Sequence, residues 1–472
     1  MSGSAASVVT RRNLGDSVLR SLWPAIERRP LITLFVIALI VRLGLVALSG
    51  LFKDVVLDDE MYHQMATDMA SGDISNWDDF TYSLFWRTAT FLGPVTLLYK
   101  IFGSEILVGQ VFVALVGAVV VVMVMRLALE FLSTTWVVTL GFVLALIPSQ
   151  AFWSTQLMKD AVVWLTLSGL ALAIAIANRS TGRNLIAAAL GVGLVLCILA
   201  FLREHTLVVA TWSMMTASLV GVRQARTARI VGAVLLGVTI PWAVAAIGPA
   251  GVDLVRNAGS LEEIRFHMAE GANTAIVDTT PGGSETDLNQ IVLERKAVES
   301  EIAQLVAQAS GAPEPEAEDK IEARLEELRA REAALLAEQS RIQSPPPGAQ
   351  LSDEEVALDP NIAHLPRGIS VMLIEPFPYP FTGSSPLRMA RVESLIWYPI
   401  LLFALYGLWF AREHLRILLF PILVGGGVLF MYALTEGNIG TAHRHRGELV
   451  WVVVLLATFG ISKFFERKQS RV

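Results

Sequence analysis

The sequence predicts an all-α, polytopic helical membrane protein, and three observations carry that prediction. Of its 472 residues, 54% are hydrophobic and only 17% are charged, against about 25% charged in soluble domains. Its mean hydropathy is +0.55. Apolar runs near the roughly 20 residues that cross about 30 Å of hydrocarbon recur along the chain. Three short connections between those runs are arginine-rich and fall on alternate turns, which is the charge asymmetry of a chain threaded back and forth through a bilayer.

The N-terminal segment 1–30 is polar and basic, and too long for the front of a cleavable signal. The apolar run after it lacks a small-residue cleavage site, so it reads as a retained anchor. About ten spans follow by the length criterion: 31–49, 105–130, 136–152, 161–178, 184–202, 206–221, 230–248, 394–411, 417–434 and 448–464. With that number, the connections "RSTGR" (179–183), "RQARTAR" (223–229) and "REHLR" (412–416) fall on one side with both chain ends. That side is expected to be cytoplasmic, in the cell membrane. The loops at 50–104, 153–160, 203–205, 249–393 and 435–447 then lie outside. The organisation expected is a cytoplasmic segment 1–30, a membrane module 31–248 with its first outer loop at 50–104, an outer loop 249–393, C-terminal spans within 394–464, and a tail 465–472.

The single cysteine, Cys197, excludes an intrachain disulfide and a cysteine zinc cluster. The net charge of −6 says little, because its meaning depends on the side of the membrane. No nucleic-acid partner is expected; membrane lipids are.

Within 249–393, residues 286–309 and 318–343 read as two helices. Ile291, Val298, Ile302 and Leu305 fall on one stripe, and Ile321, Leu325, Leu328, Leu335 and Ile342 on another. "SGAPEPEA" separates them and "SPPPG" ends the second. The pattern is that of an antiparallel coiled-coil-like hairpin over about 286–343. A solvated spacer is the favoured role, and docking of a protein partner is the alternative. In "EPFPYPFTGSSPLRMARVESLIWYP" the prolines argue against a regular helix, and the aromatic residues suit headgroup level. This stretch is expected along the outer surface before the eighth span.

The chemistry centres on "LDDEMYHQMATDMASGD", just beyond the first span. Asp58, Asp59 and Glu60 could be no more than the acidity of a solvated loop. Yet Tyr62, Ala66, Met69 and Ala70 follow at a period near 3.6, and "SGD" ends the pattern. The acids therefore stand at the N-terminus of a short amphipathic helix, whose dipole favours carboxylates. An ionised carboxylate at the membrane boundary suits a general base acting on a lipid-linked substrate.

This stretch resembles the first outer loop of the GT-C superfamily of membrane glycosyltransferases, which includes protein O-mannosyltransferases and lipid A aminoarabinose transferases. The matching residues are Asp59, Glu60, Tyr62, Ala66, Met69, Gly72 and Asp73. "FLGPVTLLYKIFGSEILVGQVFVALVGAV" is similar to the family's surface helix, "FG" turn and second span. "ALIPSQAFWSTQLMKDAVVWLTLSGLALA" resembles its third-to-fourth span region, with Pro148 at the outer end and Lys159-Asp160 opening the next span. The resemblance covers roughly 31–250; the second half shares layout more than motif. It implies transfer of a sugar from a polyprenyl phosphate or diphosphate carrier, with inversion, to an extracytoplasmic glycan, lipid or protein acceptor. The first-loop Asp would be the base: by position Asp59, with Asp58 not separable from it. Glu60 would orient an acceptor or a basic partner.

A lipid-phosphate leaving group needs fixed positive charge at the outer interface. "EGNIGTAHRHRGE" supplies Arg444, Arg446, His443 and His445, "FLREHT" supplies Arg203, and Lys159 stands at another outer turn. For each, snorkelling to headgroups is the simpler alternative. Asp160 is a candidate second-site carboxylate, while Asp78 and Asp79 read as loop charge. No cofactor is certain from the sequence. Some members of the resembled family use a divalent cation, so a metal stays open, although His443 and His445 at i, i+2 do not share a helix face. Rival readings are a polysaccharide polymerase or O-antigen ligase, a lipid-carrier flippase or transporter, and a scaffold using the hairpin.

Overall fold

The computed structural model describes residues 26, 28–48, 57–75, 77, 79–177, 183–220, 298, 302, 305, 324–331, 334–335, 365–379, 381, 385–436 and 439–470. The chain divides into two units, Met1–Leu261 with Leu358–Val472, and Glu262–Ala357. Among the described residues the regular structure is helical throughout.

In the first unit the helices are α1 (Pro30–Ala47), α2 (Leu57–Ser71), α3 (Asp79–Arg87), α4 (Ala89–Phe102), α5 (Ile106–Ala128), α6 (Thr134–Leu146), α7 (Pro148–Trp153) and α8 (Asp160–Ala177). They continue as α9 (Arg183–Ala200), α10 (Glu204–Val220), α11 (Leu365–Leu373), α12 (Ser385–Phe410), α13 (Leu415–Thr435), α14 (Ile439–His445) and α15 (Gly447–Gln469). Among the described residues, five stretches are long and apolar enough to cross a membrane: α1, α5, α8, Leu387–Thr435 and α15. The fourth is 49 residues long and is broken by a 3-10 turn at Ala411–His414, so it holds both α12 and α13. The polytopic helical expectation holds. The expected span at 230–248 lies outside the described residues, as do the segment 1–25 and most of the loop at 249–364.

Helix ends follow from local chemistry. Gly72 (φ 81°) closes α2, and Gly103 (φ 95°) closes α4 in the "FG" turn; both need the left-handed region that glycine adopts without strain. The third span is shorter than expected. Pro148 disfavours helical backbone at Ile147, which sits at φ −57°, ψ 123°, so α6 stops at Leu146 and α7 starts afresh. The eighth span begins earlier than expected: α12 takes in Ser385–Glu393, which the proline argument had excluded from helix. Among the described residues before it, 374–379 and 381 are non-helical.

The spans are apolar all round, because one face meets lipid and the other meets protein. In α1, Leu34, Ala38, Arg42 and Val46 are buried, while Ile32, Val36 and Ile40 are exposed on the opposite face. α12 packs on α15, α1 on α5, and α5 on α8. The α12–α15 crossing is tight: a Cβ on Gly407 would overlap the Leu456 carbonyl, and one on Gly460 the Phe403 carbonyl. Small residues give such close approach between membrane helices.

In the second unit a few residues of each expected stripe are described. Val298 and Leu328 are buried, Ile302, Leu305, Leu325 and Leu335 half-buried, and Arg324, Glu326 and Glu327 exposed. Ile291, Ile321 and Ile342, and the turn that would pair the helices, lie outside the described residues.

Candidate functional site

One short segment, Ser154–Asp160, links α7 to α8 and is held by three buried ionisable side chains from distant parts of the chain. Arg42 of α1 donates from Nε to Ser154 Oγ at 2.8 Å and from Nη1 to the Ala38 carbonyl at 3.1 Å. Asp59 of α2 accepts the Leu157 N–H at 2.5 Å through Oδ1, and Gln110 Nε2 at 3.4 Å through Oδ2. Arg203, in the turn between α9 and α10, donates from Nη2 to Asp160 Oδ1 at 2.7 Å. The acid singled out in the first loop and the arginine of "FLREHT" thus meet the same seven-residue run.

The acids stand in the first turn of α2, as the periodicity predicted. Tyr62 and Ala66 are buried, and Tyr62 sets its ring edge-on to Phe91 at 5.5 Å. His63 Nδ1 lies 2.8 Å from the Tyr99 hydroxyl. Burial first, and then the carboxylates of Asp59, Glu60 and Glu105, hold the Tyr99 phenol above its ordinary value. Asp59 is buried and Glu60 exposed. The side chains of Asp58 and Asp79, and all of Asp78, lie outside the described residues.

Arg203 is the centre of a buried ionic cluster. Besides Asp160, its Nη1 donates to Glu448 Oε1 and, at 2.6 Å, to the Tyr432 hydroxyl. Tyr432 in turn donates to Glu448 Oε1 at 2.7 Å, and Thr206 Oγ1 donates to Glu448 Oε2 at 3.3 Å. Burial works against the guanidinium charge, but Tyr432, Asp160 and Glu448 outweigh it and hold Arg203 well above its ordinary value. The turn is fixed from the other side by Thr90, whose hydroxyl lies 3.0 Å from both the Ile198 and Phe201 carbonyls.

His445 joins this cluster. Its ring stacks on Tyr432 at 4.4 Å and 20°, and its Nδ1 is hydrogen-bonded to Glu436. Burial, then the charges of Arg203, Arg444 and, further down, Lys159 push His445 well below its ordinary value. Burial pushes Glu436 up to about 8, with Arg444 and Arg203 opposing it. Lys159 and Arg444 are half-buried at the edge of this group.

His443 and Arg446 belong elsewhere. His443 Nε2 stands 3.9 Å from Glu393 Oε1 with no hydrogen-bond partner. Glu393 accepts the Ser149 N–H at 2.5 Å and its hydroxyl at 2.7 Å. Arg446 donates to the Glu375 carbonyl, and its guanidinium lies over Trp397 at 5.5 Å. Burial pulls Arg446 down to about 10. The predicted set of four is therefore divided: on the helix that Ile439–His445 forms, residues two apart diverge by about 200°. Among the described residues no group of three or more His, Cys, Asp or Glu could hold a metal ion.

Sequence reasoning did not single out Glu448, Tyr432, Glu436, Glu393 or Arg42. The available signal was an ionisable residue inside or at the edge of an apolar run, which is costly in a membrane unless a partner is waiting.

No family profile and no curated protein matches this sequence. The fold is similar to the crystal structure of the Archaeoglobus fulgidus oligosaccharyltransferase in the apo form, with a TM-score of 0.50 and 13% sequence identity. The likeness covers 93% of this chain and 51% of that one, so the chain spans about half the length of the protein it matches. At that identity the likeness is one of fold. The helical membrane fold expected from the sequence is thus shared with that oligosaccharyltransferase.

Proposed function

We propose that the chain is an inverting GT-C glycosyltransferase that moves a sugar from a polyprenyl phosphate or diphosphate carrier to an extracytoplasmic glycan, lipid or protein acceptor of the cell envelope. The observation that carries this reading is the shared segment: Leu157 grips Asp59 and, three residues on, Asp160 grips Arg203. An acid and a cationic cluster are thereby set at the same end of the bundle, where the displacement needs a base on one side of the anomeric carbon and positive charge on the other.

In this reading Asp59, or Asp58 beside it, removes the acceptor proton, and Glu60 orients the acceptor. Arg203, Lys159 and Arg444 supply the field that stabilises the departing carrier phosphate, with His445 beside them. Arg446 and His443 support the site through Glu393 and the Glu375 carbonyl and do not touch the phosphate. Asp160 positions Arg203. The site faces away from the cytoplasm, and both chain ends lie in it.

The test is to incubate the purified protein with a panel of polyprenyl-phosphate sugars and follow release of free carrier phosphate. Turnover with one donor, lost in Asp59→Asn or Asp58→Asn, is expected. Turnover unaffected by both substitutions but lost on Arg444→Ala would favour the polymerase or ligase reading instead.

A further inference from the structure

The segment after α11 was expected to lie along the membrane surface; its hydrogen bonds place it deeper. Four side chains of α12 take its carbonyls in succession. Trp397 Nε1 donates to Leu373 at 2.7 Å, Tyr398 Oη to Ile374 at 3.0 Å, Ser394 Oγ to Pro376 at 2.7 Å and Arg391 Nη1 to Phe377 at 3.2 Å. Arg446 takes the carbonyl of Glu375. As the segment advances from 374 to 377, its partner on α12 steps back from 398 to 391. Three residues of extended chain and seven of helix each cover about 10 Å. The strap therefore runs antiparallel to α12 and in step with it.

Two markers set the depth. About 20 helical residues span the hydrocarbon; counted from the turn at Ala411–His414, they reach the level of Arg391. Independently, the exposed apolar stripe of α12, Trp409, Leu405, Leu402, Leu395 and Val392, gives way at its outer end to an exposed Arg388. Ile374, Glu375 and Pro376 thus lie below the boundary. Non-helical backbone persists at such depth only when protein satisfies its polar groups, which is what the five donors do. α11 enters from the same end: a Cβ on its Gly368 would overlap the Ala433 backbone, near the end of α13.

We infer that residues 365–379, with 381, belong to a re-entrant segment whose partner is the lipid of the leaflet at the site end. α11 descends, the chain turns, and the strap climbs back along α12 with its apolar side chains outward. Ile374, Phe377, Tyr379 and Phe381 are 39%, 49%, 84% and 56% exposed, and they continue the lipid-facing stripe of α12 up to headgroup level, where aromatic rings are favoured. The inference does not depend on the catalytic proposal. It predicts that this corner of the site, including Arg446, is anchored by the bilayer.

The test is a nitroxide scan of the full-length chain, with Cys197→Ser, in vesicles of phosphatidylcholine and phosphatidylglycerol. Labels go on Ile374→Cys, Phe377→Cys, Tyr379→Cys and Phe381→Cys, with Leu395→Cys and Leu402→Cys as buried-in-lipid references and Arg388→Cys as the aqueous one. Collision with oxygen over a water-soluble nickel chelate at 374 should match that at 395 and 402. Labels at 379 and 381 should fall between these and 388. Nickel collision at 374 and 377 equal to that at 388 overturns the inference. As a second measurement, an impermeant maleimide should label Phe377→Cys only after detergent is added; labelling in intact vesicles, with the site side facing out, also overturns it.

Discussion

Arg203→Met tests whether the cluster around this arginine holds the bundle together. In the wild type the guanidinium serves Asp160, Glu448 and Tyr432 at once. All four are buried, and Asp160 Oδ2 has no hydrogen-bond partner, so Asp160 has no second donor to fall back on. Methionine fills the volume but strands two carboxylates. Removing one partner of a buried pair costs about 3–5 kcal/mol, because the remaining charge is uncompensated. A stranded carboxylate can take up a proton instead, at about 1.4 kcal/mol per pH unit above its ordinary range. The variant's deficit should therefore shrink as the pH falls, by about 3 kcal/mol per proton over two pH units. The assay is the thermal midpoint in detergent micelles at about pH 7.5 and about pH 5.5. It is run for wild type, Arg203→Met, and the triple variant with Asp160→Asn and Glu448→Gln, which removes all three charges and should recover most of the loss. If Arg203→Met melts with the wild type at both pH values, the arginine is a headgroup anchor and the cluster does not bear on stability.

Three other outcomes are expected. Asp59→Asn should lower transfer by about 10²–10⁴-fold, the usual worth of a general base, with the same membrane insertion and the same melting curve; an unchanged rate would remove the base assignment. Glu436 keeps its proton in the fold up to about 8, whereas an unfolded glutamate releases it near 4.5, so folding is favoured less as the pH rises from 6.5 to 8. Between 4.5 and 6.5 the buried neutral His445 offsets this slope, and His443, buried and neutral as well, reverses it, so the thermal midpoint should peak near 6.5, and Glu436→Gln should flatten the alkaline limb. Gly460→Leu should separate α12 from α15, because any side chain at 460 meets the Phe403 carbonyl and the Gly407 amide; a destabilisation of about 1–3 kcal/mol is expected from overpacking of this kind, against little change for Gly426→Ala, which faces open space.

The spans were legible because membrane helices are specified by long apolar runs, and so was α2, whose acids, apolar period and glycine stop all lie within seventeen residues. The site was legible only in part. Asp59, Arg203, Asp160 and Lys159 each stand at the end of an apolar run, where a charge is conspicuous. Glu448 sits one residue inside α15 and finds Arg203 across 245 positions of sequence, and Glu393 finds Ser149 across 244. A hydropathy window tolerates a single acid, and no local pattern says what it pairs with. "HRHR" misled for the opposite reason. Four adjacent cationic or titratable residues look like one site, yet α14 turns His445 toward Tyr432 and His443 toward Glu393. Proline was over-read as well: "SPLRMARVESLIWYP" is helical, because its first proline falls in the opening turn of α12, where the missing N–H costs nothing.

The charge balance of the cluster decides which cations would meet a substrate phosphate. Arg203 already faces two carboxylates. A phosphate brought against it would be a third anion around one guanidinium, and in a site this dry that is unfavourable unless further positive charge stands close by. Arg444 and Lys159 are the half-buried cations whose charges reach His445 together with that of Arg203, and under the glycosyltransferase proposal they form the rim at which a lipid headgroup would arrive. Under the glycosyltransferase proposal, structure and binding should therefore separate by residue. Lys159→Met and Arg444→Met should each raise the donor KM by about tenfold or more, the worth of a charge-assisted contact of roughly 1.5–3 kcal/mol. Arg203→Met should lose fold first. Raising the salt concentration should weaken donor binding in the wild type and do so less in the two rim variants, since a rim charge is screened and a buried one is not. If instead Lys159→Met and Arg444→Met leave KM as it was, the phosphate must displace Asp160 or Glu448 from Arg203, and the cluster would have to open for each turnover.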